Sequence, residues 1–170
     1  NMPKITFIDL SVPIKHNSAD EPFPATIDRL DHRRGAEALG GPGGVSPDEF
    51  PDGMGLAWEN INSITHTGTH LDAPWHFGPT AGGEPALTID RVPLEWCYSN
   101  GVALDLTHKK PSDHISLDDI RTSLDKIGYE IMPLDIVLLH TGADKQLGKA
   151  EYLSAHPGMT REATLWILDH

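Results

Sequence analysis

His114–Gly128 reads HISLDDIRTSLDKIG, and shortly after it Asp135–Thr141 reads DIVLLHT. The spacing predicts a helix over the first stretch. Leu117, Ile120, Leu124 and Ile127 recur three or four residues apart and form one apolar face. Ser116 stands at the N-cap with Asp119 three residues on, a capping-box pattern, and Gly128 supplies the stop. The second stretch is a near-continuous apolar run, the pattern of a buried strand. Gly101–Leu106 (GVALDL) is another such run. TREATLWILDH, residues 160–170, reads as a second helix with Thr160 as its cap, Glu162 in the first turn, and Ala163, Trp166 and Ile167 on one face. Strand, helix, strand, helix in this order predicts an α/β layer arrangement.

The first half of the chain is less regular. Lys4–Val12 (KITFIDLSV) is rich in β-branched and aromatic residues and predicts a strand closed by Pro13. From His32 to Gly55 there are seven glycines and three prolines. This predicts a long surface loop with at most a helical turn near Gly35–Leu39, either a binding loop or an excursion without a role. Leu56–Ile64 (LAWENINSI) leads into a histidine-rich stretch, and Ile89–Leu94 is a short segment. There is no repeat, no low-complexity tract and no evident domain boundary. The 170 residues suit a single domain. No Gly, Pro or polar tail follows the last helix before His170, so the expectation is a domain incomplete at its C-terminus.

Composition narrows the function. Thirteen basic against 25 acidic residues give a net charge of −12, which disfavours nucleic acid and anionic membranes as partners. No apolar run is long enough to span a bilayer and no signal-peptide pattern opens the chain, so the expected location is cytoplasmic. Cys97 is the only cysteine, which rules out an internal disulfide and a thiolate cluster. Any metal must be held by His, Asp, Glu or water.

The stretch His66–Phe77, HTGTHLDAPWHF, carries three of the ten histidines. Gly68, two threonines and Pro74 oppose a helix across it. In an extended chain, residues of equal parity share a face, so His66, His70 and Asp72 point one way. Gly68 allows a local bend, and Pro74 turns the chain so that His76 folds back. Two imidazoles and a carboxylate suit a divalent transition metal, typically Zn²⁺, with Mn²⁺ or Fe²⁺ as alternatives. Three protein ligands leave a position for water, which the ion acidifies into a nucleophile. Histidine exchanges protons near neutrality, which suits His76 to proton transfer. The competing reading is an Asp-Ala-Pro turn that merely carries histidines.

HTGTHLDAPWHF resembles the signature of the cyclase-like metal-dependent hydrolases, which include bacterial kynurenine formamidase and isatin hydrolase. IDLSVPI at Ile8–Ile14 resembles that family's N-terminal strand motif. IDRVPLEWCYSNGVALDL at Ile89–Leu106 resembles its central segment, DHISLDDI with PLDIVLLHTG its helix-to-strand unit, and HPGMTREATLWILDH its late helix. The resemblance implies layered, barrel-like β-sheets with flanking helices in a dimer or tetramer. It implies His66, His70 and Asp72 as metal ligands, Asp72 also bridging to a second ion in two-zinc members, and His76 as the general acid/base. The implied reaction is hydrolysis of an amide or cyclic amide by metal-bound hydroxide; a lactone or ester is a related target. The further His and Glu (or Gln) ligands of the family belong to a later region with no counterpart among these residues. Alternatives are a metal-dependent polyketide-type cyclase or dehydratase, and a non-catalytic metal-binding relative.

Other residues carry weaker signals. Thr67 and Thr69 are placed to bond the ligand histidines. Trp75 either walls a pocket or packs in the core, and Trp58 with the Phe50–Pro51 region is a candidate border for an aromatic small-molecule substrate. Phe77 is expected to pack. His140, at a strand end, is a core or edge histidine more than a substrate contact. His108 and His114 are expected to face solvent, His156 is not assigned as a ligand, and Cys97 is expected to be a buried, inert thiol.

Overall fold

The computed structural model describes residues 5–170. They fall into two compact units, divided after His70. In the first, β1 (Thr26–Leu30) and β2 (Trp58–Asn62) pair antiparallel, with Thr26 opposite Asn62 and Leu30 opposite Trp58. Arg29 and Glu59 face each other in that register and form an exposed ion pair at 2.8 Å, worth a few tenths of a kcal/mol.

Between these strands lies α1 (His32–Gly43), where the sequence predicted a loop. Its glycines, weak helix formers on their own, are used for close packing. A Cβ on Gly35 would sit 1.8 Å from the Leu56 carbonyl oxygen, so the helix backbone lies directly on the returning chain. The Gly55 N–H donates to the His32 carbonyl at 2.9 Å and ties the same contact. Asp31 caps the helix by accepting from the Arg34 N–H. Tertiary packing here overrides a poor intrinsic propensity.

The strand expected over Lys4–Val12 is not formed within the described part, residues 5–12; Lys4 lies outside the described residues. Ile5, Phe7 and Leu10 are all exposed. A β-rich sequence is a strand only when another strand takes its backbone groups, and among the described residues none does.

The second unit begins with α2 (Pro74–Phe77), a single turn with Pro74 at its start, followed by the short antiparallel pair β3 (Thr80–Ala81) and β4 (Glu84–Pro85). The expected segment at Ile89–Leu94 consists of 3₁₀ turns over Ile89–Arg91 and Leu94–Cys97. Next come β5 (Gly101–Asp105), β6 (His114–Ile115), α3 (Leu117–Ile127), β7 (Ile136–His140), β8 (Gly158–Met159) and α4 (Arg161–Leu168). β5 and β7 pair parallel, from Gly101 opposite Ile136 to Asp105 opposite His140. Parallel neighbours need a long crossover, and α3 supplies it. β6 and β8 form a second parallel ladder, after which the Thr160 N–H donates to the Ile115 carbonyl at 3.0 Å. That ladder sets the two helix starts, Ser116 and Thr160, beside each other.

The predicted helices form in this unit, with Ile120 and Leu124 buried and Ile127 exposed, but the two apolar runs read as buried strands are not buried throughout. Along β5, Val102 and Leu104 are buried while Gly101, Ala103 and Asp105 are exposed. Val102, Leu104, Leu106, Ile115, Ile120, Leu124, Ile131 and Ala163 form the core, with Trp166 and Ile167 packed against it. The fold is therefore a mixed α/β arrangement. Its strands form four two-stranded sheets among the described residues. No helix among them is long and apolar enough to cross a membrane.

The capping box of α3 is complete. Asp119 accepts from the Ser116 N–H at 2.7 Å, and the Ser116 hydroxyl accepts from the Asp119 N–H at 3.2 Å. Lys109 Nζ adds an ion pair to Asp119 at 2.6 Å. Burial opposes ionisation of Asp119, but the hydrogen bonds from Lys109 and Ser116 outweigh it and hold the carboxyl well below the usual carboxylate range. A lowered folded-state pKa contributes stability that is present above the unfolded value, about 3.9, and is lost as pH falls toward the folded value. Asp119→Asn is expected to destabilise the protein by about 1–3 kcal/mol at pH 7. The deficit should shrink below about pH 4. Urea denaturation of both proteins at pH 7 and pH 3 checks this; a deficit that grows at pH 3 would contradict it.

Candidate metal centre

The histidine stretch is not a straight strand. Residues 65–69 form turns and bends, and Gly68 adopts φ +67°, a left-handed conformation that other residues take only with strain. The extended same-parity geometry is thus replaced by a tight turn, because Gly68 permits one and two side chains hold it. Glu21 Oε1 accepts from the Gly68 N–H at 2.9 Å, and Thr69 Oγ1 accepts from the Val12 N–H at 3.0 Å.

The turn brings two predicted ligands together in the first unit. His66 Nδ1 and His70 Nε2 lie 3.2 Å apart with their rings edge-on. His70 Nδ1 lies 2.8 Å from the Gly68 carbonyl oxygen. A carbonyl only accepts, so His70 Nδ1 carries a proton, and in the neutral ring Nε2 is the acceptor. Two nitrogens bound to one tetrahedral Zn²⁺ at about 2.0–2.1 Å would sit about 3.3–3.4 Å apart. The observed spacing is close to that.

In the second unit, Asp72 lies two residues before the start of α2, and His76 lies in that helical turn. His76 is fixed by its N–H bond to the Ala73 carbonyl at 2.9 Å. A carboxylate oxygen of Asp72 and a ring nitrogen of His76 lie within 4.8 Å of each other. His66 and Asp72 are half-buried and His76 is exposed.

One further observation favours a bound group. Thr67 is buried, and its Oγ1 has no hydrogen-bond partner among the described residues. A buried hydroxyl without a partner is costly, and this one follows directly after a candidate ligand. Thr69, the other threonine expected to orient the histidines, bonds Val12 instead. The donor set and the orphaned hydroxyl fit a divalent cation.

Several neighbours differ from expectation. Trp75 is 62% exposed and Phe77 79%, so neither packs in a core. Both are carried outward by α2, a single turn too short to bury more than one face. Cys97 is exposed rather than buried, because it ends a surface 3₁₀ turn. His108 and His114 face solvent as expected, and the exposed His140 is an edge rather than a core residue. Glu21 was missed: it belongs to no motif, and only the folded chain places it beside Gly68.

The fold is mixed α/β and carries an imidazole–carboxylate donor set. The chain belongs to the family described as "Putative cyclase", whose model matches residues 8–170. Its fold is similar to that of an isatin hydrolase solved with the product analogue thioisatinate. That likeness has TM-score 0.64 and 19% identity over 86% of this chain and 53% of the other. It is also similar to isatin hydrolase A from Ralstonia solanacearum (TM-score 0.62, 21% identity, 86% and 52% of the two chains). A third similar structure is described as a novel cyclase (TM-score 0.66, 20% identity, 94% and 62%). The chain thus spans about half the length of the isatin hydrolases it matches. No curated protein matches it.

Proposed function

We propose that this protein is a metal-dependent hydrolase that cleaves an amide, lactam, lactone or ester bond in a small, aromatic substrate. The observation that carries the reading is the 3.2 Å pairing of His66 Nδ1 with His70 Nε2. It is supported by the proximity of Asp72 and His76, within 4.8 Å in the second unit, and by the cyclase-family match. His66, His70 and Asp72 hold a divalent ion, Zn²⁺ or Mn²⁺, and His76 moves the protons. When bound, the ion supplies Lewis acidity toward a carbonyl oxygen and water. His70, locked by Gly68, presents a fixed nitrogen; Asp72 supplies the negative charge that offsets the cation. His76, exposed on its helical turn, takes a proton from attacking water at a ring nitrogen and returns one to the leaving nitrogen or oxygen. The reading includes layered, barrel-like sheets, a dimer or tetramer, and action in the cytoplasm.

Metal loading tests the first step. The protein is expected to bind Zn²⁺ or Mn²⁺ near stoichiometry, with the melting temperature rising on addition of metal and falling back with chelator. At one hundred times Kd, binding contributes about 2.7 kcal/mol to stability. Aryl formamides and aromatic lactams are then offered as substrates. A metal-loaded protein that opens none of them would count against the hydrolase reading. The family description and the novel-cyclase likeness favour one second reading, a metal-dependent cyclase or dehydratase. Product mass separates the two: a gain of water marks hydrolysis, and a loss of water marks cyclisation with dehydration.

A further inference from the structure

The loop that carries Glu21 is built to hold that residue still. The Asn17 N–H donates to the Ala25 carbonyl at 2.9 Å and closes the loop, and Ala25 is fully buried. Pro22 follows Glu21 and restricts it to extended backbone, and Pro24 stiffens the return. The half-buried Glu21 side chain crosses to the Gly68 N–H, 47 residues away in sequence. Among the described residues Glu21 makes no ion pair, so its carboxylate is spent on a neutral backbone donor. Charge-assisted bonds of this kind are about twice as strong as neutral ones.

The bond lands at an influential point. Gly68 takes the left-handed φ of +67°, and its carbonyl accepts from His70 Nδ1 at 2.8 Å. That contact assigns the His70 proton to Nδ1 and leaves Nε2 as the acceptor, 3.2 Å from His66 Nδ1. The chain of contacts therefore runs from Glu21 through Gly68 to His70 and then to His66. Outer partners that orient a ligand histidine typically contribute 10- to 100-fold to metal affinity.

We infer that Glu21 is a positioning residue of the metal centre: its carboxylate holds the Gly68 turn that sets the tautomer and orientation of His70. The inference rests on the reading of His66 and His70 as ligands. Thr69, anchored to Val12, holds the next peptide of the same turn. Tethering the loop alone would make Glu21 a source of stability only. Positioning makes it a determinant of His70 as well.

The experiment compares wild type with Glu21→Ala and Glu21→Gln on two readouts. The first is the imidazole ¹⁵N spectrum of His70 in the metal-free protein, which reports the tautomer. The second is Co²⁺ affinity by titration. Wild-type His70 is expected to show the Nδ1–H tautomer. Glu21→Ala should give a mixed-tautomer spectrum and weaken Co²⁺ binding about 10- to 100-fold. Glu21→Gln, whose amide oxygen still accepts from Gly68, should recover most of both; Glu21→Met, which keeps the side-chain length without the acceptor, replaces Glu21→Ala if that variant proves unstable. A Glu21→Ala protein, or with that variant unfolded a Glu21→Met protein, that loses stability but keeps the wild-type tautomer and affinity overturns the inference. If wild type binds no Co²⁺, the metal reading fails and the positioning role with it. Binding by wild type with no change in the variants removes the Glu21 role alone.

Discussion

Replacing His76 by alanine is expected to lower turnover about 10²- to 10⁴-fold, the usual contribution of a general acid–base group, while leaving the metal bound. His76 is exposed and sits in the single turn of α2, so its removal leaves no cavity in the core. The wild-type and variant proteins are compared by kcat/KM and by metal content in native mass spectrometry. The 4.8 Å grouping of His76 with Asp72 gives the comparison a second edge. Loss of metal together with loss of turnover would reassign His76 as a ligand. Normal turnover would remove it from the chemistry altogether.

The largest effect on stability is expected from Leu104→Ala. Leu104 is fully buried at the centre of β5, inside the cluster that joins α3 and α4 to the β5–β7 pair. Truncation there removes the transfer energy of the lost atoms and leaves a cavity that close-packed neighbours fill poorly, a cost of about 2–5 kcal/mol. Total stabilities of single domains are about 5–15 kcal/mol, so the variant loses a large share. Equilibrium urea unfolding measures the difference. A cost under about 1 kcal/mol would mean that this cluster is not the core of its unit.

The second unit was legible because its signals are local. The Ser116–Asp119 box, the apolar spacing of Ile120 and Leu124, and the Thr160 cap of α4 all act within a few residues. Each is a choice the chain makes by itself, and the structure keeps all of them. The donors of the candidate site were legible for a related reason: His66, His70, Asp72 and His76 lie close together in sequence. Their type and spacing already suggest a cation.

The first unit was read less well, and for one reason. KITFIDLSV has every local mark of a strand, yet a strand exists only through its partner's hydrogen bonds. The Gly-rich stretch after His32 has every local mark of a loop. It is nevertheless a helix, because Gly35 lets the backbone meet the Leu56 carbonyl. Cys97 was placed inside by residue type and lies outside by position.

By itself, then, the sequence determined the α/β character of residues 101–170, the caps of its helices and the donor atoms offered to a metal. Tertiary structure alone decided how those donors are turned. Gly68 bends left-handed, and Glu21, far away in sequence, holds it there through one 2.9 Å bond. Periodicity and capping act along the chain and can be read from it. A carboxylate reaching across 47 residues to one peptide N–H leaves no pattern in sequence, since nothing local requires it.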